Sequence, residues 1–241
     1  MNVKSILLII LATFNLKKQL VYIVLFFQLN NIFAQSKNEL ANGLFEQNEF
    51  EIRQFIRGKL SELAESKEPQ WVAGIVRGER SINTAKGRLN VFVLDDMSTS
   101  IELTVDEAVH ANCRSLIKED QLLIGLVRVQ TDRRNGGVRV ALLNAIDLPT
   151  ARCRFGKHLL INVGEHSPDL VDILRDFPGK ANATEASDSK WTGLSIRMQL
   201  KRAGSQVEIQ LGDRSVFFPT DEALHRLSKQ IQPSQPFIVY D

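Results

Sequence analysis

The sequence predicts a mainly β protein with an α+β part. A five-stranded barrel is expected over residues 69–148 and a small α+β domain over 157–241, with an apolar and then helical segment ahead of both. Three observations carry this. β-rich runs bounded by Gly-, Asn- and Asp-bearing turns recur five times in about 80 residues. A single helical stretch falls between the third and fourth runs. Beyond residue 157, alternating runs and capped helical stretches are mixed.

Residues 1–35 contain no Asp or Glu and only Lys4, Lys17 and Lys18 as charges. Their apolar runs, Ile6–Phe14 and Leu20–Phe27, are each shorter than the roughly 18–20 residues needed to cross a bilayer. Three readings fit this segment: upstream or out-of-frame sequence, an anchor to the inner membrane, and a signal peptide. Residues 36–68 read as an amphipathic helical lead-in, with Leu40, Leu44, Phe45, Ile52, Phe55, Ile56, Leu60 and Leu63 at helical steps.

The barrel is read from its elements in order. Trp71–Val76 is a strand followed by Arg77, Glu79 and Arg80. Asn83–Gly87 is a turn, and Leu89–Leu94 a second strand. Asp95–Ser100 turns into a third strand, Ile101–Val105. Asp106–Ile117 reads as a helix with Ala108, Val109, and Cys113 or Leu116 on one side. Gln121–Val129 and Val138–Ile146 are the last strands, joined by the Gly-rich turn Thr131–Gly137. Three strands, a helix and two strands is the order of an OB-fold, a small barrel that binds oligonucleotides on its second and third strands and in two of its loops. Those loops are expected at Ser81–Arg88 and Thr131–Gly137. They carry Lys86, Arg88, Arg133 and Arg134, with Arg77, Arg80, Arg128 and Arg139 on adjoining strands. These eight cations are the candidate nucleic-acid-binding residues, because loop cations contact phosphate without demanding a sequence.

Composition limits this reading. Lys plus Arg is 30 against 28 Asp plus Glu, a net charge of +2, so any nucleic-acid contact has to come from a local patch. Stacking on bases needs exposed aromatics. The barrel offers only Trp71 and Phe92, which read equally well as core. Binding should be weak. No catalytic residue, metal site or cofactor is expected. Asp95-Asp96 sits where Asp commonly caps a turn, Cys113 reads as a buried thiol, and two cysteines and four histidines make no metal-ligand spacing.

Several motifs in order resemble one family. Val72–Val76, Asn83–Arg88, Leu94–Ser98 with Ile101-Glu102, Leu116–Ile124, Gly136-Gly137 and Ala145–Leu148 are similar to the OB domain near the C-terminus of the bacterial DNA polymerase III alpha subunit, a replicative C-family polymerase. Ala151-Arg152 and Leu159–Val163 resemble its link into the last domain. Val207–Gly212, Val216–Leu224 and Phe237–Asp241 resemble its end. The match fades upstream at Glu46–Phe50. The resemblance implies a C-terminal fragment acting in DNA replication in the cytoplasm. Its barrel would lie along single-stranded template, and its last domain would dock the tau subunit of the clamp loader. The family is a DNA-directed DNA polymerase, but its catalytic palm lies far upstream, so this chain is expected to bind and not catalyse. The alternative is a membrane-tethered OB-fold binding protein unrelated to polymerisation.

In the last domain, Leu159–Val163 is a strand and Ser167 caps a helix over Pro168–Phe177. Pro178–Lys190 is a polar loop. Leu194–Leu200, Gln206–Leu211 and Ser215–Phe218 follow as strands. Thr220 caps a helix over Asp221–Ile231, and Phe237–Tyr240 closes a mainly antiparallel sheet.

Overall fold

A computed structural model describes residues 42–43, 45–84, 87–132, 137–163, 170–181, 191–202, 204–212 and 215–241. The apolar segment 1–35 and the cap at Ser167 lie outside the described residues. Among the described residues no helix is long and apolar enough to cross a membrane.

The lead-in is helical over 45–55 (α1) and not over the whole of 36–68. Phe45 and Ile52 on α1, and Ile56 just after it, are buried. The chain leaves the helix because stronger partners take its groups. Arg53 Nη1 donates to the carbonyl of Gly58 at 2.9 Å, and the Leu60 amide donates to Asp96 Oδ2 at 2.9 Å. A single 3-10 turn, Leu60–Glu62, follows.

The barrel strands are β1 (Gln70–Thr84), β2 (Gly87–Asp95), β3 (Ser100–Asp106), β4 (Leu122–Asp132) and β5 (Gly137–Ile146). They close in the order β1-β2-β3-β5-β4, with β3 and β5 parallel and the other pairs antiparallel. Helix α2 (Glu107–Cys113) lies between β3 and β4 in the chain. Asp106 caps it by accepting from the Val109 amide. Cys113 is buried and Val109 and Leu116 pack on the core, but Ala108 faces solvent.

The two expected loops are shorter than the sequence suggested. Ser81–Thr84 belongs to β1 and pairs with Gly87–Asn90, and Thr131-Asp132 pairs with Gly137-Val138. Both hairpins extend their strands because every added rung satisfies backbone groups that a loop would leave to water. Strand β1 is long enough to pair β4 through Gln70–Ile75 and β2 through Ile75–Thr84. The bend falls at a register shift between Arg77 and Glu79, where Gly78 takes φ +51°. Glycine reaches that conformation without the penalty of a side chain.

One helix escaped the sequence reading. Leu148–Phe155 (α3) is capped by Asp147, which accepts from the Thr150 amide, and carries a proline in its first turn. It runs into β6 (Gly156–Val163) with no spacer. A Cβ on Gly156 would sit 2.5 Å from the Arg152 carbonyl oxygen and 2.9 Å from Ile238 and Leu194 side chains, so only glycine fits this corner.

Beyond α3 come α4 (Val171–Asp176), β7 (Lys180–Ala181), β8 (Trp191–Thr192), β9 (Leu194–Arg202), β10 (Ser205–Gln210), β11 (Val216–Phe217), α5 (Asp221–Gln230) and β12 (Phe237–Tyr240). The sheet runs β10-β9-β6-β12, with β6 and β9 parallel and the rest antiparallel. Helix α4 ends at Asp176, one residue before the expected Phe177, and its expected start at Pro168 lies outside the described residues. Thr220 caps α5 by accepting from the Ala223 amide. Residues 45–241 form one compact unit holding two hydrophobic clusters. One lies inside the barrel around Phe92, Leu94, Leu103 and Leu123. The other lies between sheet and helices around Leu159, Ile161, Phe217 and Leu227.

Arg152 joins these parts. Its side chain is 3% exposed. Nε and Nη2 donate to the two oxygens of Glu51 on α1, at 2.8 and 2.7 Å. Nη1 donates to the Pro219 carbonyl at 3.0 Å and to Asp221 at the start of α5 at 2.6 Å. Tyr240 on β12 donates its hydroxyl to Glu51 at 2.6 Å. Beside this network Phe55 stacks on Phe155, and Trp71 meets Phe155 edge-on. Removing the guanidinium strands the Glu51 carboxylate, a loss of about 3 kcal/mol for a buried pair broken on one side. Arg152→Ala should therefore lower the urea midpoint of the full chain strongly, and Arg226→Ala, at an exposed pair with Asp176, should barely move it. Equal effects in urea unfolding would refute the joining role.

Candidate nucleic-acid interface

The pleat sorts the candidate cations. Residues of β4 and β5 that enter the barrel core, Val127, Val129, Val140 and Leu142, alternate with residues that point outward. Arg128 and Arg139 are both exposed in the alternate positions. Arg128 pairs across to Ala141 and Arg139 to Gln130, so the two arginines are diagonal neighbours on the barrel's outer face.

The other cations are placed differently. Arg77 is in an ion pair with Asp120, both partly buried, and the Asp120 amide also donates to the Val76 carbonyl at 2.9 Å. This guanidinium ties β1 to the segment before β4. Arg80 pairs with Glu102 at 2.7 Å on the outer face of β1 and β3, where both side chains are more than half exposed. Such a pair is worth under about 1 kcal/mol, so Arg80 can exchange Glu102 for phosphate cheaply. Arg88 is exposed, and its Nη2 donates to Ser81 Oγ at 3.0 Å. Lys86, Arg133 and Arg134 lie outside the described residues. The structure therefore brings Arg128 and Arg139 together and gives Arg77 a structural task.

Neither aromatic of the barrel is set to stack on a base. Phe92 is 1% exposed in the core. Trp71 is half-buried, with Phe155 against its edge and the Arg154 guanidinium 5.1 Å from its ring. Contact from the described part of the barrel thus rests on charge and hydrogen bonding.

A second feature was not legible in the sequence. The inner side of the β1–β2 hairpin and α2 enclose an open cavity of about 450 Å³. Ser81, Arg88 and Asn90 line it from the hairpin, and Glu107, His110 and Arg114 from α2 and its cap. Sequence spacing gives no sign that Arg88 and Arg114 share a cavity, because the barrel's closure brings them together.

The acidic pair serves the fold. Asp95 accepts from the Met97 amide at 2.8 Å. Asp96 is buried, with Oδ1 accepting from the Ser98 hydroxyl and from the amides of Ser98 and Thr99, and Oδ2 from Leu60. Arg53 Nη2 lies 3.6 Å from Oδ2. Burial alone would raise the Asp96 pKa, but the Ser98 hydroxyl and the amides of Leu60, Thr99 and Ser98 outweigh it and hold the carboxyl below its usual range. Both lone-pair sets are thereby committed. Among the described residues no group of three or more His, Cys, Asp or Glu side chains could hold a metal. Cys113 is buried, and burial followed by the nearby Asp147 pushes the Cys153 thiol up to about 12, far from a reactive thiolate.

The closed β1-β2-β3-β5-β4 barrel with its helix between β3 and β4 makes this an OB-fold protein. Over most of its length the chain is similar to the DNA polymerase III subunit alpha, the family its motifs resemble. It is 27% identical over 195 residues to that subunit from Pseudomonas aeruginosa, covering 80% of this chain and 16% of the relative. It is 28% identical to the Haemophilus influenzae subunit over 73% of this chain and 15% of the relative. With the Neisseria meningitidis serogroup A subunit it shares 30% over 52% of this chain and 11% of the relative. The chain thus spans only 11–16% of the length of these relatives. No family model matches the chain. Among solved structures, RecG bound to a three-way DNA junction matches with a TM-score of 0.30 and 15% identity, covering 37% of this chain and 12% of that one. The second OB-fold domain of replication protein A from Methanococcus maripaludis matches at 0.29 and 17%, covering 38% and 93%. At such scores the strand order, and not superposition, carries the fold assignment.

Asp96 generates a prediction. Its folded pKa is depressed, so its contribution is present above the unfolded value and is lost as pH falls through the folded one. Asp96→Asn should lower the urea midpoint at neutral pH, and the gap to the parent chain should close as the solution is taken to about pH 3 and below. A gap that stays constant with pH would show that the carboxylate charge carries none of the effect.

Proposed function

We propose that this chain is a binding module of DNA replication, the C-terminal portion of a DNA polymerase III alpha subunit. Its barrel would hold single-stranded DNA weakly and without sequence preference, and its last sheet and helices would dock the tau subunit of the clamp loader. The observation that carries this reading is the similarity to the DNA polymerase III subunit alpha along 80% of the chain. The closed barrel and the exposed Arg128 and Arg139 support the DNA half. The tau half rests on the family resemblance of residues 157–241. On this reading the chain contributes no polymerase chemistry of its own and works in the cytoplasm. The DNA-binding set is Arg80, Arg128 and Arg139 on strands, joined by Lys86, Arg88, Arg133 and Arg134 at the hairpins.

The mechanism is electrostatic. Each phosphate neutralised by a cation releases condensed counterions, which makes affinity fall with salt in proportion to the contacts made. Without stacking residues on the described barrel, affinity depends on those contacts and varies little with sequence.

The test is fluorescence anisotropy of the full chain with mixed-sequence single strands across a salt series. Binding should weaken steadily with salt. Arg128→Ala and Arg139→Ala should each flatten the slope of log affinity against log salt by about 0.7, equally for pyrimidine and purine strands. Wild-type slope and affinity in the double variant would remove the outer face from the interface. For the partner half, the full chain should co-elute with purified tau subunit, and separate elution at micromolar concentrations would sink that half alone.

A further inference from the structure

We propose that the cavity between the β1–β2 hairpin and α2 is a nucleotide site. It would take a phosphate-bearing nucleotide, either free or at the end of a strand. Its volume of about 450 Å³ falls in the range of small-molecule sites and exceeds what a lone phosphate needs. Three guanidiniums, Arg80 and Arg88 from the hairpin and Arg114 from the end of α2, line this one polar space. They come from separate elements, and an anion between them relieves their mutual repulsion. The planar guanidinium fork matches phosphate oxygens in pairs.

The hairpin wall is built in advance. Arg88 Nη2 donates to Ser81 Oγ at 3.0 Å, and Ser81 Oγ donates to Asn90 Oδ1 at 2.5 Å. Asn90 is 3% exposed, so a buried amide anchors a chain of polar groups ending in the cation. Such a chain holds the guanidinium in place before a ligand arrives. The amide and the hydroxyl also suit the polar edges of a sugar or base. The acidic wall groups are few. Glu79 is bound to His110 at 2.6 Å. Arg80 also lines the cavity, but its guanidinium is engaged by Glu102 at 2.7 Å. Glu107 remains as the carboxylate that opposes an anion.

Arg80 and Arg88 are shared with the proposed strand-binding set, but Arg114 belongs to the cavity alone and Arg128 and Arg139 to the outer face, so the two readings can fail separately. The test titrates the full chain with deoxycytidine monophosphate and, in parallel, with 5′-phosphorylated and 5′-hydroxyl oligonucleotides of one sequence, followed by calorimetry. The mononucleotide should bind saturably. Arg88→Gln and Arg114→Gln should each weaken it about tenfold, the usual scale for losing a charge-assisted contact. Glu107→Gln should tighten it. Arg128→Ala should leave it unchanged while weakening long single strands. A gain from the 5′-phosphate that Arg88→Gln abolishes identifies the strand end as the ligand, and mononucleotide binding without that gain identifies the free nucleotide. Both arginines are exposed, so the variants should fold, and circular dichroism checks this. Failure of deoxycytidine monophosphate to bind the folded chain, or binding that ignores both Arg→Gln changes, overturns the proposal.

Discussion

Everything around the barrel depends on one buried cation. Arg152 sits on α3 at the junction of α1, α5 and β12 and is 3% exposed. Burial on its own would favour loss of its charge, but the hydrogen bonds and charges of Glu51 and Asp221 outweigh that and hold its pKa above even the ordinary arginine value. A buried ion pair is weak evidence for stability, since desolvation offsets much of the attraction. Its strength here is geometric. A guanidinium has a fixed fork of donors, and each donor pair is satisfied by a different element. Lysine could not reproduce this, because an ammonium presents a point charge. The same arrangement pushes the Tyr240 hydroxyl upward in pKa, through burial, its bond to Glu51 and the charge of Glu51, so it stays a donor.

The barrel has its own constraint of the same kind. Asp96 begins the β2–β3 turn and also holds the backbone of Leu60 and the side chain of Arg53. A turn residue on one hairpin thereby docks the lead-in onto the barrel. Thr131 adds a second tie by donating its hydroxyl to Glu65 at 2.5 Å. The two carboxylates that could suggest a metal site thus accept from backbone amides and a hydroxyl, with Arg53 beside Asp96.

The barrel was legible because its information is local. Alternation, turn residues and the Asp106 cap lie within a few residues of what they specify, so strand order and helix position followed from the sequence. What was missed is non-local or competes with a local signal. Ser81–Thr84 carries turn-forming residues, yet cross-strand pairing extends β1 through it. Helix α3 falls where the sequence reads as a link, although Asp147 and Pro149 mark a helix start. The lead-in helix ends at 55 because Asp96, far along the chain, captures Leu60. The candidate cations show the same division. The list was readable, but only cross-strand register separates Arg77, held by Asp120, from Arg128 and Arg139 on the outer face. The pairing of Arg88 with Arg114 around one cavity depends on barrel closure and has no trace in spacing.

These placements fit a module that does not need to bind tightly. Residues 71–147 balance ten basic against ten acidic side chains, and Arg77 and Arg80 already have acidic partners. Of the barrel's two aromatics, Phe92 is buried in the core and Trp71 is packed against Phe155 and Arg154. A free protein of this kind would hold a single strand poorly at physiological salt. Tethered to a larger replication assembly, it would meet the strand at a high effective concentration, and weak contacts would then suffice. Weak contact also suits a strand that has to slide, because a phosphate grip without base stacking or sequence readout can be made and broken at every nucleotide. On the proposed reading, balanced charge is therefore the property that lets the barrel guide DNA without holding it.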